Sequence, residues 1–348
     1  MKLDYIVVGL GLAGLAFIEE LIAANKSFLV FEDNSQTSSL VAGGVYNPVI
    51  LKRYSPVWNV KEQLAVALPF YDRLEKKFEA TFDHKFEIKK AFKSIQDQNN
   101  WFSAFDKPKV APFLDATLDK KSYPGVLGDH SLGNVKEGGR IDTHLLVETY
   151  RNYLHEKDWI RFEKFNHEAI FFENNIAKYQ DLAATKIVFS EGFGLKQNPY
   201  FNHLPLDEVK GETITIHAPE LDIDFLLKST LFVMPIGNHL YKVGATFNHV
   251  DKTSVPSTEG RDELIEKLKK VLDTPFEIVA QAAGIRPAVK DRRPMVGVHP
   301  QFSNLVVLNG LGTRGVMISP SIAKNLFHHL ELDESLDPEI DIKRFDKK

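Results

Sequence analysis

Cysteine is absent from all 348 residues, which excludes disulfides, thiolate metal sites, cysteine nucleophiles and cysteine-linked cofactors. No metal site is expected. Long apolar runs are also absent. None approaches the ~18 residues a spanning helix requires, so no membrane span is expected. Charge of one sign is not in excess: 43 Lys and Arg stand against 47 Asp and Glu, a net charge of −4. That gives no global attraction to nucleic acid or an anionic membrane. The first strand begins without a basic or signal-type leader, so the cytoplasm is the expected location. There is no internal repeat and no low-complexity tract. What is present is ordinary for globular protein, with 43% hydrophobic and 26% charged residues. The length exceeds that of one usual compact domain, and two packed domains are expected.

The most informative stretch is Lys2 to Asn34. Asp4 to Val8 is a short apolar run. Gly9, Gly11 and Gly14 follow at G-x-G-x-x-G spacing. Leu15 to Ala24 has helical periodicity, and Ser27 to Phe31 is a second apolar run ending in Glu32. Gly9 permits a sharp turn, Gly11 lets backbone approach a pyrophosphate, and Gly14 lets the helix pack against the strand. The helix N-terminus offers free N–H groups and partial positive charge. Glu32 suits ribose hydroxyls. This unit predicts a dinucleotide site but does not choose between NAD and FAD.

Val41 to Pro48 contains the double glycine Gly43-Gly44, a turn that lets backbone lie flush against a flat ligand. Lys52 and Arg53 add two nearby cations. Val60 to Phe78 reads as a helix interrupted or kinked at Pro69. Phe82 to Pro124 reads as strands and loops. Asp142 or Thr143 caps a helix to about Glu156, with Leu145, Leu146, Tyr150 and Leu154 toward the core. Phe162 to Tyr179 reads as two strands and Thr185 to Ser190 as a buried one. Period-two patterning at Thr213 to Ile216, Thr230 to Met234 and Leu240 to Thr246 predicts antiparallel strands. Asp262 to Leu272 is an amphipathic helix. Asn304 to Asn309 is a strand running into Gly310-Leu311-Gly312-Thr313-Arg314-Gly315, then a helix from Ser319 to about Leu330.

At Gly284-Ile285-Arg286-Pro287, followed by Asp291, Pro294 and Gly297, the chain resembles the D-amino-acid-oxidase-like flavoproteins. These include glycine oxidase, sarcosine oxidases and the oxidase domain of the bifunctional tRNA 5-methylaminomethyl-2-thiouridine biosynthesis enzyme. The resemblance extends through the N-terminal unit, the Val41 to Pro48 turn and the strand before Gly192. It continues through Val209-Lys210-Gly211-Glu212, Val243-Gly244-Ala245-Thr246 and the turn at 310–315. It implies a mixed α/β fold: a Rossmann-like FAD-binding domain (1–80, 140–208 and 288–348) with an inserted antiparallel-sheet substrate domain (81–139 and 209–287). It also implies non-covalent FAD, with the adenosine at Gly9 to Glu32. The ring system would lie near Gly43, Gly44, Gly192 and the Gly312, Thr313, Arg314 and Gly315 turn.

The resemblance assigns Arg286 to the substrate carboxylate, a bidentate task suited to a guanidinium fork. Phe232 and Phe247 stand where glycine oxidase carries an active-site tyrosine and methionine. Thr313 stands where it carries a second arginine. Arg53 completes the expected pocket. Lys242 matches the lysine that activates oxygen in monomeric sarcosine oxidase. The expected reaction is oxidation of the C–N bond of a glycine-like or N-substituted amino acid. Hydride passes to flavin N5, the imine is hydrolysed, and O2 is the acceptor. Two alternatives stay open. One is a stand-alone oxidase of the carboxymethylaminomethyl group of tRNA wobble uridine, with Lys52, Arg53, Arg292, Arg293 and Arg314 as a basic patch. The other is a dehydrogenase passing electrons to a quinone or partner protein.

Overall fold

The computed structural model describes residues 1–128 and 131–346. The Lys2–Val8 strand lies between Phe28–Phe31 and Leu182–Phe189, parallel to both. Ile160–Arg161 and Leu305–Asn309 extend the parallel core on either side. Met295–Val298 and the Phe171–Glu173/Ile176–Tyr179 hairpin add antiparallel strands. Both faces of this sheet are covered, which is why its central strands read as continuous apolar runs. Tyr5, Val7 and Val30 pack on one side with the Leu12–Ala23, Val60–Phe78 and Gly315–Leu332 helices. Ile6, Val8, Leu29 and Phe31 pack on the other against Phe165, Tyr179, Phe189 and Phe201. Every parallel strand that ends in a glycine turn therefore delivers it to one edge of the sheet: Val8 to Gly9, Phe189 to Gly192, Asn309 to Gly310.

A second sheet runs Glu277–Val289, Leu206–His217, Leu240–Gly244, Phe232–Gly237, Leu226–Lys228, Ile88–Ala91, Leu132–Val135, Leu114–Asp119. It is antiparallel except where Leu226–Lys228 meets Ile88–Ala91. Alternation gives its central strands two different faces. Ile214, Ile216, Val233, Tyr241 and Val243 pack on Leu264 and Leu268 of the Thr258–Leu268 helix. The opposite face turns toward the glycine turns of the first sheet. Among the described residues no helix is long and apolar enough to cross a membrane.

Several local expectations need correction. Glu277–Val289 is a 13-residue strand that the sequence does not announce. Glu277, Gln281, Gly284 and Pro287 break its apolar pattern, and it is held by its long pairing with Leu206–His217. Ile95–Ser103 is a helix where strands and loops are expected, and Ser94 accepts from Asp97 N–H as its cap. The Ser94-x-x-Asp97 signature was its available signal. Leu145 is 44% exposed, whereas Leu146, Tyr150 and Leu154 are buried. The helix thus presents a narrower apolar stripe than its composition suggests. Phe162 lies outside any strand and is exposed. The last helix begins at Gly315, one turn before Ser319, and runs through Pro320.

Candidate functional site

A cleft of about 400 Å³ lies between the glycine turns of the parallel sheet and the open face of the antiparallel one. Gly9, Gly11, Glu32, Gly43, Gly44, Gly192 and Gly312 all line it. Gly9 has φ +94°, and a Cβ there would meet Ser190 O at 2.6 Å. Gly14 lies beneath the turn, where a Cβ would stand 2.1 Å from Gly9 O. The Leu12–Ala23 helix has no side-chain cap from Gly11, although Leu12 N–H donates to Ser39 Oγ at 3.2 Å. Glu32 is buried and accepts from Leu10 N–H (2.6 Å) and Asn34 N–H (2.8 Å). Burial raises its pKa against those hydrogen bonds and the nearby Arg151.

Gly44 has φ +66° and approaches the Ile141 carbonyl so closely that a Cβ would meet it at 1.8 Å. This pins the Gly43-Gly44 turn to the Gly139–Ile141 strand. Ser38 Oγ donates to Ile285 O, joining the segment before that turn to the strand that carries Arg286. Another helix without a side-chain cap, Gly315–Leu332, also opens on the cleft, where Gly315 and Val316 line the wall. Asn309 Nδ2 donates to Gly192 O at 2.9 Å and holds the two turns together.

Register decides what the antiparallel sheet contributes. Lys228 lies opposite Phe232, Phe232 opposite Gly244, and Gly244 opposite Thr213. Gly211 pairs with Gly284, two residues from Arg286. All therefore share the cleft face. The Arg286 guanidinium lies flat over Gly211, where a Cβ would be 1.9 Å from Nη2. It donates to Lys210 O (3.4 Å) and Thr246 O (3.2 Å) and sits 4.4 Å from the Phe247 ring centroid. No carboxylate pairs with it among the described residues. Burial lowers it to about 10, so it is cationic at neutral pH. Phe247 is 62% exposed and Phe232 is partly buried; both line the cleft with Thr313.

Lys242 shares the cleft side of the sheet, while Tyr241 and Val243 face the helix-packed side. Its ammonium donates to the carbonyls of Val41 (2.9 Å) and Ala42 (3.2 Å), behind the Gly43-Gly44 turn and outside the cleft lining. Burial lowers its pKa. Arg53 is exposed and does not line the cleft. Nor does Arg314, whose pKa is lowered first by burial and then by Arg292, Arg293 and Arg53. Those four arginines form one basic cluster beside Gly312 and Thr313. Lys228 and Thr213 line the cleft and were not singled out from sequence. The period-two placement of Leu226 and Lys228 was the only available signal.

The turns, the uncapped helix ends and the acid closing the second strand define a protein that holds an extended dinucleotide at the carboxyl edge of a parallel sheet. The cradle fits: at Gly9, Gly14 and Gly44 any side chain would collide with backbone. A family model described as FAD dependent oxidoreductase (DAO) matches residues 4–328. The chain belongs to this family and is an FAD-dependent oxidoreductase. It is 29% identical over 138 residues to the tRNA 5-methylaminomethyl-2-thiouridine biosynthesis bifunctional protein of Campylobacter jejuni subsp. doylei, covering 38% of this chain and 22% of that one. The chain thus matches about a fifth of the length of that relative. It is 23% identical over 351 residues to glycine oxidase of Pseudomonas aeruginosa, covering 92% and 93% of the two chains. The structure of glycine oxidase from Geobacillus kaustophilus superposes with a TM-score of 0.77 at 17% identity, over 97% of each chain. Iminodiacetate oxidase from Chelativorans gives 0.76 at 16% identity, over 97% and 98%.

Proposed function

We propose that this protein oxidises the C–N bond of a glycine-like or N-substituted α-amino acid. The observation that carries the reading is Arg286: a cation with no carboxylate partner among the described residues, laid flat on the cleft wall by Gly211. A guanidinium so placed receives a substrate carboxylate bidentately and aims the adjacent carbon. Phe232, partly buried in the cleft wall, would shield that carbon from water, while Phe247 packs on the Arg286 guanidinium. Phe232 has no hydroxyl, so carboxylate recognition falls to Arg286 and backbone. Gly9, Gly11, Gly14 and Glu32 would hold the adenosine end of FAD. Gly43, Gly44, Gly192, Gly312, Thr313 and Gly315, which line the cleft, would surround its ring. When bound, FAD supplies a two-electron acceptor for the hydride of the substrate carbon. Oxygen is the proposed terminal acceptor.

Anaerobic bleaching of the flavin by a panel of amino and N-alkyl amino acids tests this. Arg286→Ala is expected to lower the efficiency of reduction by carboxylate substrates roughly 10²- to 10³-fold, with flavin content unchanged. A panel that leaves wild-type flavin oxidised would end this reading.

A second reading is oxidation of a carboxymethylaminomethyl group on tRNA wobble uridine, an N-substituted glycine that Arg286 would hold in the same way. The arginine cluster beside Thr313 favours it, as does the likeness to the bifunctional tRNA-modifying proteins. It predicts that tRNA reduces the flavin and binds with steep salt dependence. Arg314→Gln together with Arg292→Gln should flatten that dependence. Wobble nucleosides unchanged by mass spectrometry in a deletion strain would reject it.

A further inference from the structure

Lys228 is a second cation in the cleft, and no carboxylate among the described residues pairs with it. It lies on the same sheet face as Arg286 but toward the opposite side of the sheet, with Phe232, Gly244 and Thr213 between them in register. Its charged neighbours are Lys90, Lys93 and Lys267, all of its own sign. Asp97 is engaged by Lys90 and Glu263 by Lys267. The nearby Lys89 pairs with Asp119. Burial, reinforced by the like charges, pulls Lys228 down to about 8. A partly buried ammonium without a counter-ion is unfavourable in the free protein and is relieved when an anion arrives.

We infer that Lys228 is an anion subsite for the far end of the substrate, so that the preferred substrates are N-substituted glycines whose N-substituent ends in a carboxylate or phosphate. The inference rests on the amine oxidation proposed at Arg286. The Arg286 guanidinium lies over Gly211, three strand spacings and two residues along from Lys228; a lysine stem extended across the cleft would bring the two cations to on the order of 10 Å. The second anion therefore lies several bonds beyond the nitrogen. A substrate with one carboxylate leaves Lys228 unpaired. A dianion satisfies both ends of the cleft and fixes the direction in which the substrate lies across Phe232.

The test separates binding from turnover. Thioethers that replace the amine nitrogen with sulfur serve as probes: (6-carboxyhexylthio)acetate, its phosphonate counterpart and the neutral-tailed heptylthioacetate. Each is titrated into oxidised holoenzyme and followed by the flavin absorbance. Wild type is expected to bind the dianions about tenfold or more tightly than the neutral-tailed probe. Comparison of carboxylate with phosphonate shows which terminus is preferred. Lys228→Met is expected to erase the preference while leaving heptylthioacetate binding within about twofold, and Lys228→Arg to retain it. Flavin content and melting temperature confirm folding, and Lys228→Gln replaces Lys228→Met should the latter not fold. No preference in wild type, or a preference that survives in Lys228→Met, overturns the inference. So does a Lys228→Met holoenzyme that is reduced equally slowly by N-heptylglycine and N-(6-carboxyhexyl)glycine, because Lys228 would then act in the chemical step. Failure of both amines to reduce wild-type flavin would instead reject the oxidation at Arg286, while the thioether preference still reports on Lys228.

Discussion

At the scale of single residues, the site depends on where side chains are missing. Gly211 lets Arg286 lie flat, and Gly9, Gly14 and Gly44 let backbone meet backbone. Each was visible in the sequence as a glycine, but only Gly9 and Gly14 announced their reason through spacing. Lys242 shows the opposite case. Its match to an oxygen-activating lysine implied an ammonium over the cofactor, whereas it is held by the Val41 and Ala42 carbonyls just behind the Gly43-Gly44 turn. A cation fixed there would still stabilise negative charge developing on oxygen nearby. Lys242→Met is therefore expected to slow flavin reoxidation by O2 roughly 10²-fold and to leave anaerobic reduction by substrate nearly unchanged. Stopped-flow measurement of the two half-reactions checks this, and equal slowing of both would assign Lys242 to substrate positioning instead.

At the scale of elements, helices with strong local signals were legible and strands with long-range partners were not. The Thr143–Glu156 helix carries its start in the sequence: Asp142 accepts from Leu145 N–H at 3.1 Å. Asp142→Ala should destabilise the protein by about 1 kcal/mol. The inward face is decided by neighbours. Leu145→Ala should change stability by no more than about 0.5 kcal/mol. Leu146→Ala, fully buried, should lose about 2–5 kcal/mol. Chemical denaturation of the three variants measures the contrast, and a large Leu145 effect would place that side chain against an unseen surface. The Glu277–Val289 strand has no comparable local signature, because glycine, proline and polar residues interrupt it. It exists through its ladder with Leu206–His217.

At the scale of the whole molecule, the two sheets meet with glycine turns on one side and side chains on the other, and the cleft is what lies between. Ion pairs stiffen the far edge of the antiparallel sheet. Burial of Asp119 opposes its ionisation, but hydrogen bonds from Lys89 and Tyr123 outweigh this and hold its carboxyl at about 2, below its ordinary 3.8. Between those values the unfolded chain binds the proton and the folded chain does not, so stability rises with pH across this window. The contribution is complete above the unfolded value and is lost as pH falls toward about 2. Asp119→Asn should flatten the acid limb of the stability curve while lowering stability at neutral pH. An unchanged acid limb in equilibrium unfolding would remove this pair from the account.

What the sequence determined by itself was everything encoded at short separation. The Gly9-Gly11-Gly14 spacing, the acid at Glu32 and the capped helices rest on contacts within a few tens of residues, and the apolar strands of the parallel sheet declare their burial by composition although their partners are distant. The tertiary structure alone decided which cations face the cleft. Arg286 and Lys228 do, and Arg53 and Arg314 do not. The reason is register: Lys228, Phe232, Gly244, Thr213 and Arg286 share a face only because the five strands that carry them pair in one alignment. A slip of one residue in any of them would turn its side chains to the opposite face.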